Sequence, residues 1–209
     1  MDLLISELFE TIQGETSFTG CLTTFIRLAG CPLRCSWCDT PQGHLQGKKM
    51  SFEQLLACVE KFGWHHVCIT GGEPLAQANC IPFLKLLVDR TFTVSLETNG
   101  AVSTAAVPEE VHVILDIKCP GSGMEAHNHW PNLDRLRPHD EVKFVVANKD
   151  DFSWALSIIS NYNLASKVSS LLISPVWDRL DPKELISWML LSKMPLRLNL
   201  QTHKYVGAR

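Results

Sequence analysis

Apolar positions along the chain follow two rhythms, one of period two and one near 3.6, and the switches between them mark its elements. Residues 3–12 (Leu-Leu-Ile-Ser-Glu-Leu-Phe-Glu-Thr-Ile) predict an opening strand, followed by a polar turn, Gln13-Gly14-Glu15-Thr16. Residues 22–29 predict a β-rich strand with Arg27 embedded in it. A cysteine-bearing loop and a polar stretch, Gln42 to Lys49, come next. Ser51 then opens a helix: it stands at capping-box spacing from Gln54, and Phe52, Leu55, Leu56 and Val59 recur at helical period until Gly63. Residues 66–70 read as a buried strand, 81–89 as a helix, and 92–97 and 111–117 as strands. Residues 119–140 form a long irregular stretch, whose His127, His129 and His139 read as loop residues. A strand at 141–147, a helix over 152–163 capped by Asp150 or Asp151, and a strand at 171–174 follow. The last helix has Pro182 near its start and runs through Leu185 to Leu191; a strand at 196–201 and a tail from Thr202 complete the chain.

Alternating strands and helices argue for an α/β fold with a largely parallel sheet. The connections 98–110 and 119–140 carry no convincing helix, and 209 residues fall short of the ~250 of a full eight-fold barrel. The expected architecture is therefore a partial, open, TIM-like (β/α) barrel with reduced helix content, as one domain over residues 1–209. Polar residues gather just after strand ends: Thr70 to Glu73, Glu97 to Asn99, Asp116 to Lys118 and Gln201 to His203. Sites in parallel α/β folds form at those ends, so the chemistry should converge on one rim.

Composition narrows the function classes. The 45% hydrophobic and 20% charged fractions are those of a globular protein. A net charge of −3 argues against broad nucleic-acid binding, and no stretch approaches the apolar run of a membrane span. The N-terminus lacks the basic and apolar regions of a secretory signal, which points to the cytoplasm. Eight cysteines are then reduced thiols, and metal ligation is the best explanation for three of them. Cys58 and Cys68 fall in apolar helix and strand patterns, as buried small side chains do.

Those three are Cys31, Cys35 and Cys38, in CxxxCxxC spacing. Thiolates so spaced can wrap one iron–sulfur cluster from a single loop, leaving the fourth iron of a [4Fe-4S] cluster open to a small molecule. Half a zinc site is an alternative, but the second CxxC or HxxxH pair it would need is absent. A dithiol redox motif would use Cys35 and Cys38 and leave Cys31 unexplained. The second signal is Gly71-Gly72-Glu73-Pro74 after a strand, where two glycines expose backbone and a carboxylate can accept from an ammonium. An arginine in an apolar strand, such as Arg27, needs a partner; a structural carboxylate is the commoner one and a substrate carboxylate the functional alternative.

The cysteine loop, with Trp37 before its last cysteine, and the Gly-Gly-Glu-Pro turn resemble the paired motifs of radical S-adenosylmethionine (SAM) enzymes. A narrower resemblance, to the 7-carboxy-7-deazaguanine synthase family, spans nearly the whole chain. It rests on Glu10-Thr11-Ile12-Gln13-Gly14-Glu15, Arg27, Cys31 to Thr40, Gly71 to Pro74, Glu97-Thr98-Asn99-Gly100 and Gln201-Thr202-His203-Lys204.

That resemblance implies a barrel of the radical SAM type and a lyase that converts 6-carboxy-5,6,7,8-tetrahydropterin to 7-carboxy-7-deazaguanine. A 5′-deoxyadenosyl radical takes hydrogen from C6 of the pterin, the ring contracts, ammonia leaves, and SAM is regenerated. By resemblance Cys31, Cys35 and Cys38 hold a [4Fe-4S] cluster. Trp37, Cys38, Asp39, Gly72, Glu73 and the segment Asp116-Ile117-Lys118 contact SAM, although a serine-proline-lysine is expected at that last segment. Ile12, Gln13, Gly14, Glu15, Arg27, Thr70, Glu97, His203 and the terminal carboxylate of Arg209 contact substrate, and Thr40 is the protein ligand of a Mg²⁺ completed by substrate oxygens and waters. The resemblance also implies an electron donor such as flavodoxin or ferredoxin and a homodimer. The competing expectations are a radical SAM activase that makes a glycyl radical on a partner protein, and a non-catalytic zinc or redox module.

Overall fold

The structure, a computed structural model, describes residues 1–41 and 47–208. It is organised on one nine-stranded sheet: β1 (Asp2–Ile12), β2 (Leu22–Leu28), β3 (Lys48–Ser51), β4 (His66–Gly71), β5 (Thr93–Thr98), β6 (His112–Ile117), β7 (Glu141–Val146), β8 (Ser170–Pro175) and β9 (Leu196–Leu198). The strand order is β3-β1-β2-β4-β5-β6-β7-β8-β9, and it does not close on itself. Pairing is parallel from β2 through β4 to β9, whereas β1 runs antiparallel to both of its neighbours. The helices are α1 (Phe52–Phe62), α2 (Cys80–Asp89), α3 (Lys149–Asn161), α4 (Pro182–Ser192) and α5 (Thr202–Val206).

The period-two pattern of each strand sorts two faces. Ile26 and Leu28, Val67 and Ile69, Leu96, Leu115, Phe144 and Ile173 point outward and are buried in one core that includes Leu55 and Val59 of α1 and Phe83 and Leu87 of α2. The alternate residues point inward and are mostly polar: Arg27, Thr70, Glu97, Asp116 and Lys143 all line one cavity. The polar lining belongs to the upper inner face, while Phe9, Phe25 and Cys68 make a small apolar cluster. Phe9 and Phe25 stack with centroids 5.2 Å apart.

A register shift between Ile5 and Glu7 makes β1 serve both faces. Ile5 pairs with Leu28 and joins the outer core, while Glu7 pairs with Arg27 and turns inward. An uninterrupted strand would put residues 5 and 7 on the same side; one extra residue reverses the alternation.

Local signals place the helices. Both reciprocal bonds of the capping box form in α1: Ser51 Oγ accepts from the Gln54 amide, and the Ser51 amide donates to Gln54 Oε1 at 2.9 Å. Such a cap contributes about 1 kcal/mol. Gly63 ends the helix in the left-handed region, at φ 78°. The connections 98–110 and 119–140 carry no α-helix, as expected, and three 3-10 turns occupy part of the second.

Three expectations are corrected. Residues 48–51, expected to be loop up to Lys49, form β3, because Lys48–Ser51 lies against Asp2–Ile5 and completes that edge. The cap of α3 is Asn148, whose side chain accepts from the Asp151 amide; Asp151 instead accepts from the Gly121 and Ala147 amides. The closing strand ends at Leu198, because Asn199 turns its side chain to Ser174, Glu15 and the Thr16 amide. Beyond that strand, Thr202–Val206 is a short helix, anchored where the Thr202 amide and hydroxyl both donate to the Gly14 carbonyl at 2.9 and 3.0 Å. Among the described residues, no helix is long and apolar enough to cross a membrane.

Candidate functional site

The inner face, the loop after β1, the cysteine loop and the tail helix enclose a cavity of about 770 Å³. Ile12, Gln13, Gly14, Glu15, Arg27, Thr70, Glu97 and His203 line it, and so do Cys31, Cys35, Trp37, Cys38, Asp39, Thr40, Gly72, Asp116 and Lys118. Two expected residues do not: the side chains of Glu73 and Ile117 are buried beneath it. Arg209 lies outside the described residues.

The cysteine loop is held from two sides. On one side the Glu73 amide donates to the Gly30 carbonyl at 2.8 Å, and the Gly72 amide to the Leu28 carbonyl at 3.1 Å. This approach is why glycines stand there: a Cβ at Gly72 would lie 2.2 Å from the Gly30 carbonyl oxygen, and one at Gly71 2.2 Å from that of Leu28. The Glu73 carboxylate accepts from the Thr98 hydroxyl and the Asn99 and Leu75 amides, and burial raises its pKa despite these bonds. Asn99 Nδ2 in turn donates to Cys31 Sγ at 3.4 Å, so the Glu73 turn also fixes a group on the first thiol. On the other side the 119–140 stretch serves as a buttress. The Ser36 amide and hydroxyl donate to the Ser122 and Gly121 carbonyls at 3.0 and 2.9 Å.

None of the eight cysteines is in a disulfide. Burial pushes the Cys31 and Cys35 thiols up, opposed in part by the charge of Lys118. Among the described residues, no three His, Cys, Asp or Glu side chains are arranged to hold a metal ion. Three thiols from one loop facing one cavity do fit a polynuclear cluster, whose irons are spread over several ångströms.

Facing the thiols is a hydrogen-bonding wall. Gln13 Nε2 and the Thr70 hydroxyl donate to the two oxygens of Glu97, each at 3.1 Å. Arg27 Nε donates to Glu7 Oε2 at 2.8 Å, so the structural partner of this strand arginine is the residue brought inward by the β1 register shift. Glu15 accepts from Lys143 Nζ at 2.9 Å, Gln201 Nε2 at 3.0 Å and Asn199 Nδ2 at 3.2 Å. Burial would raise its pKa, but the Lys143 charge and these bonds outweigh burial and hold it below its ordinary value. Gln201 also donates to Asp39 Oδ2 at 2.7 Å, which joins the tail to the cysteine loop. The Thr40 hydroxyl donates to Asp39 Oδ1, leaving its lone pairs for a cation. Asp116 pairs with Lys118 at 3.0 Å, while its Oδ1 is buried with no partner among the described residues and is available to a ligand donor.

Sequence reasoning missed Glu7, Lys143, Trp177, Arg179 and Lys204 as lining residues. A signal existed for Lys143: a charge inside the apolar run Glu141 to Val146 is the pattern that singled out Arg27. Trp177, Arg179 and Lys204 come from a loop and the tail, where no periodicity reports orientation.

An open parallel barrel whose rim carries a three-cysteine loop beside a Gly-Gly-Glu-Pro turn defines a class, and the profile of the Radical SAM superfamily matches residues 25–184. The chain is 39% identical to the 7-carboxy-7-deazaguanine synthase of Koribacter versatilis, over 97% of this chain and 96% of that protein. It is 40% identical to the 7-carboxy-7-deazaguanine synthase of Chlorobaculum tepidum, over 98% and 94%. The crystal structure of QueE from Escherichia coli superposes with a TM-score of 0.79 at 28% identity, over 97% of this chain and 95% of that one. The chain belongs to the 7-carboxy-7-deazaguanine synthase family of radical SAM enzymes, which serves 7-deazapurine biosynthesis.

Proposed function

We propose that the chain converts 6-carboxy-5,6,7,8-tetrahydropterin to 7-carboxy-7-deazaguanine and ammonia, as a carbon–nitrogen lyase. The supporting observation is that three thiols and a wall of complementary hydrogen-bonding side chains face one another across a single cavity. Cys31, Cys35 and Cys38 would hold a [4Fe-4S] cluster. Trp37, Cys38, Asp39, Gly72, Asp116 and Lys118 would contact SAM; Glu73 and Ile117, with buried side chains, would add backbone groups. When bound, cluster and SAM together supply the radical that removes hydrogen from C6 of the pterin.

The chain's own residues hold the substrate. Gln13 and Glu15, beside Ile12 and Gly14, offer donors and acceptors to the pterin edge. Arg27, oriented through its Nε by Glu7, offers its Nη groups to the substrate carboxylate in a charge-assisted contact. Thr70, Glu97 and His203 complete the wall. Thr40 would ligate a Mg²⁺ whose other ligands are substrate oxygens and waters, because one hydroxyl is not a magnesium site. The tail helix, tied to the Gly14 carbonyl, shields the cavity from water, which reactive intermediates require.

The reading includes an external one-electron donor of the flavodoxin or ferredoxin kind, a homodimer in the cytoplasm, and residues 1–209 acting as one domain. The test is anaerobic turnover of reconstituted protein with SAM, reductant, Mg²⁺ and the pterin, followed by mass spectrometry. Formation of 7-carboxy-7-deazaguanine, abolished by Cys35→Ala and reduced by Arg27→Met, is the expected result. Intact pterin after incubation with a brown, SAM-binding protein would reject it.

A further inference from the structure

We propose that Lys143 is a positioning residue of the substrate site, keeping the Glu15 carboxylate ionised and aimed at the N–H donors of the pterin. This rests on the substrate reading above, and goes beyond it in assigning what makes Glu15 competent.

Lys143 lies on the inner face of β7, with its side chain 12% exposed, and Glu15 on the loop after β1, at 13%. Nothing in the fold of β7 needs a charge there: Val142, Phe144 and Val146 supply its core face. Lys143 Nζ stands 2.9 Å from Glu15 Oε2 and 3.7 Å from Asp116 Oδ2, bridging the substrate loop and the strand end beside the cysteines. The remaining donors to Glu15, Gln201 and Asn199, are neutral. Among the described residues no neighbouring cation takes over: Lys118 is paired with Asp116 at 3.0 Å, and Lys204 lies 3.8 Å from Asp39. Among the described residues the other charged and titratable groups about the pair are Asp39, Glu97 and His203; the first raises Glu15, and Glu97 and Asp116 strengthen the charge on Lys143.

The chemistry decides why this matters. An ionised carboxylate only accepts, which suits a ligand edge made of N–H donors; a protonated one turns an O–H toward those donors. Burial alone pushes Glu15 toward the neutral form, and Lys143 reverses it. Lys143→Met keeps length and removes charge. Glu15 should then rise above the ordinary carboxylate range, and pterin affinity should weaken about tenfold for each unit by which its pKa exceeds the pH.

Two measurements test this. Anaerobic equilibrium binding of the pterin is followed from mildly acidic to mildly alkaline pH in wild type, Lys143→Met and Lys143→Arg. The ¹³C carboxyl resonance of Glu15, assigned by its loss in Glu15→Gln, is titrated in the pterin-free wild type and in both variants. Expected are flat neutral-pH binding in the wild type, an affinity that recovers only as pH rises in Lys143→Met, and restoration by Lys143→Arg. A Lys143→Met protein with wild-type affinity, or one uniformly weaker at all pH with Glu15 still ionised, would overturn the inference and leave the function standing. Should Lys143→Met not fold, a wild-type Glu15 that titrates at or above the ordinary carboxylate range would overturn it equally. Absence of pterin binding by the wild type would overturn function and inference together.

Discussion

A methyl group at position 14 has no room. The Cβ of Gly14→Ala would stand 2.0 Å from Nδ1, 2.7 Å from Cγ and 2.9 Å from Cβ of His203. Turning the imidazole relieves the first two contacts but not the third, because the His203 Cβ is fixed to the backbone of α5. The helix itself must move. It is short, has no buried residue, and two of the hydrogen bonds that hold it go to the very residue that changes. Two such bonds are together worth about 2 kcal/mol, or roughly 30-fold in the population of the docked tail. The outer core is untouched, so Tm should change little. The cost should appear in KM for the pterin, raised at least tenfold if His203 contacts substrate and α5 closes the cavity, with about wild-type SAM affinity. The assay is anaerobic initial-rate kinetics beside a thermal melt. A Gly14→Ala enzyme with unchanged KM would refute the view that the tail helix completes the substrate site.

Three further outcomes follow from other parts of the structure. Asn148→Ala, which removes the α3 cap, should cost about 1 kcal/mol and roughly 2–4 °C in Tm, whereas Asp150→Ala, on the exposed side, should cost less; equal losses in the melt would contradict the cap assignment. Alanine at Cys31, Cys35 or Cys38 should abolish the brown chromophore and bound iron, whereas Cys80→Ala should keep both, its buried thiol being pushed up to about 12; iron analysis decides. Glu141 is fully buried, which raises its pKa, but His112 at 3.7 Å and bonds from the Ser17 amide outweigh burial and hold it below its ordinary value. Its stabilisation is therefore complete above the ordinary carboxylate value and fades as pH falls through the lowered one. Glu141→Gln should flatten the acid limb of Tm against pH, and an unchanged limb would argue against that contact.

Much of the architecture was legible because each parallel strand carries its two faces in the order of its residues. His-Val-Cys-Ile-Thr at 66–70 is a case in point: Val67 and Ile69 pack outward, and Cys68 and Thr70 turn inward. The capping box of α1 was legible for a similar reason, since its partners are three residues apart. What stayed hidden depends on distant pairing. The β1 shift, which sends Ile5 out and Glu7 in, exists only in register with β2. The β3 edge is short, and its alternation is too brief to read against a polar loop. Glu73 offered a carboxylate to a ligand in the sequence, yet its oxygens are engaged by residues about 25 positions away. Lys143 was readable by the logic applied to Arg27, but its partner Glu15 is 128 residues distant, and no local pattern announces such a pair.

Deuterium at C6 of 6-carboxy-5,6,7,8-tetrahydropterin tests the central claim most directly, that this cavity sets that carbon against the adenosyl carbon of SAM. The protein, reconstituted anaerobically and supplied with SAM, reductant and Mg²⁺, would be quenched after a few turnovers and its products resolved by mass spectrometry. The account predicts 7-carboxy-7-deazaguanine together with deuterium at the 5′ carbon of SAM or 5′-deoxyadenosine. SAM cleavage without deuterium transfer and with the pterin unchanged would contradict it, leaving a radical SAM enzyme that acts on something else, such as a polypeptide glycine.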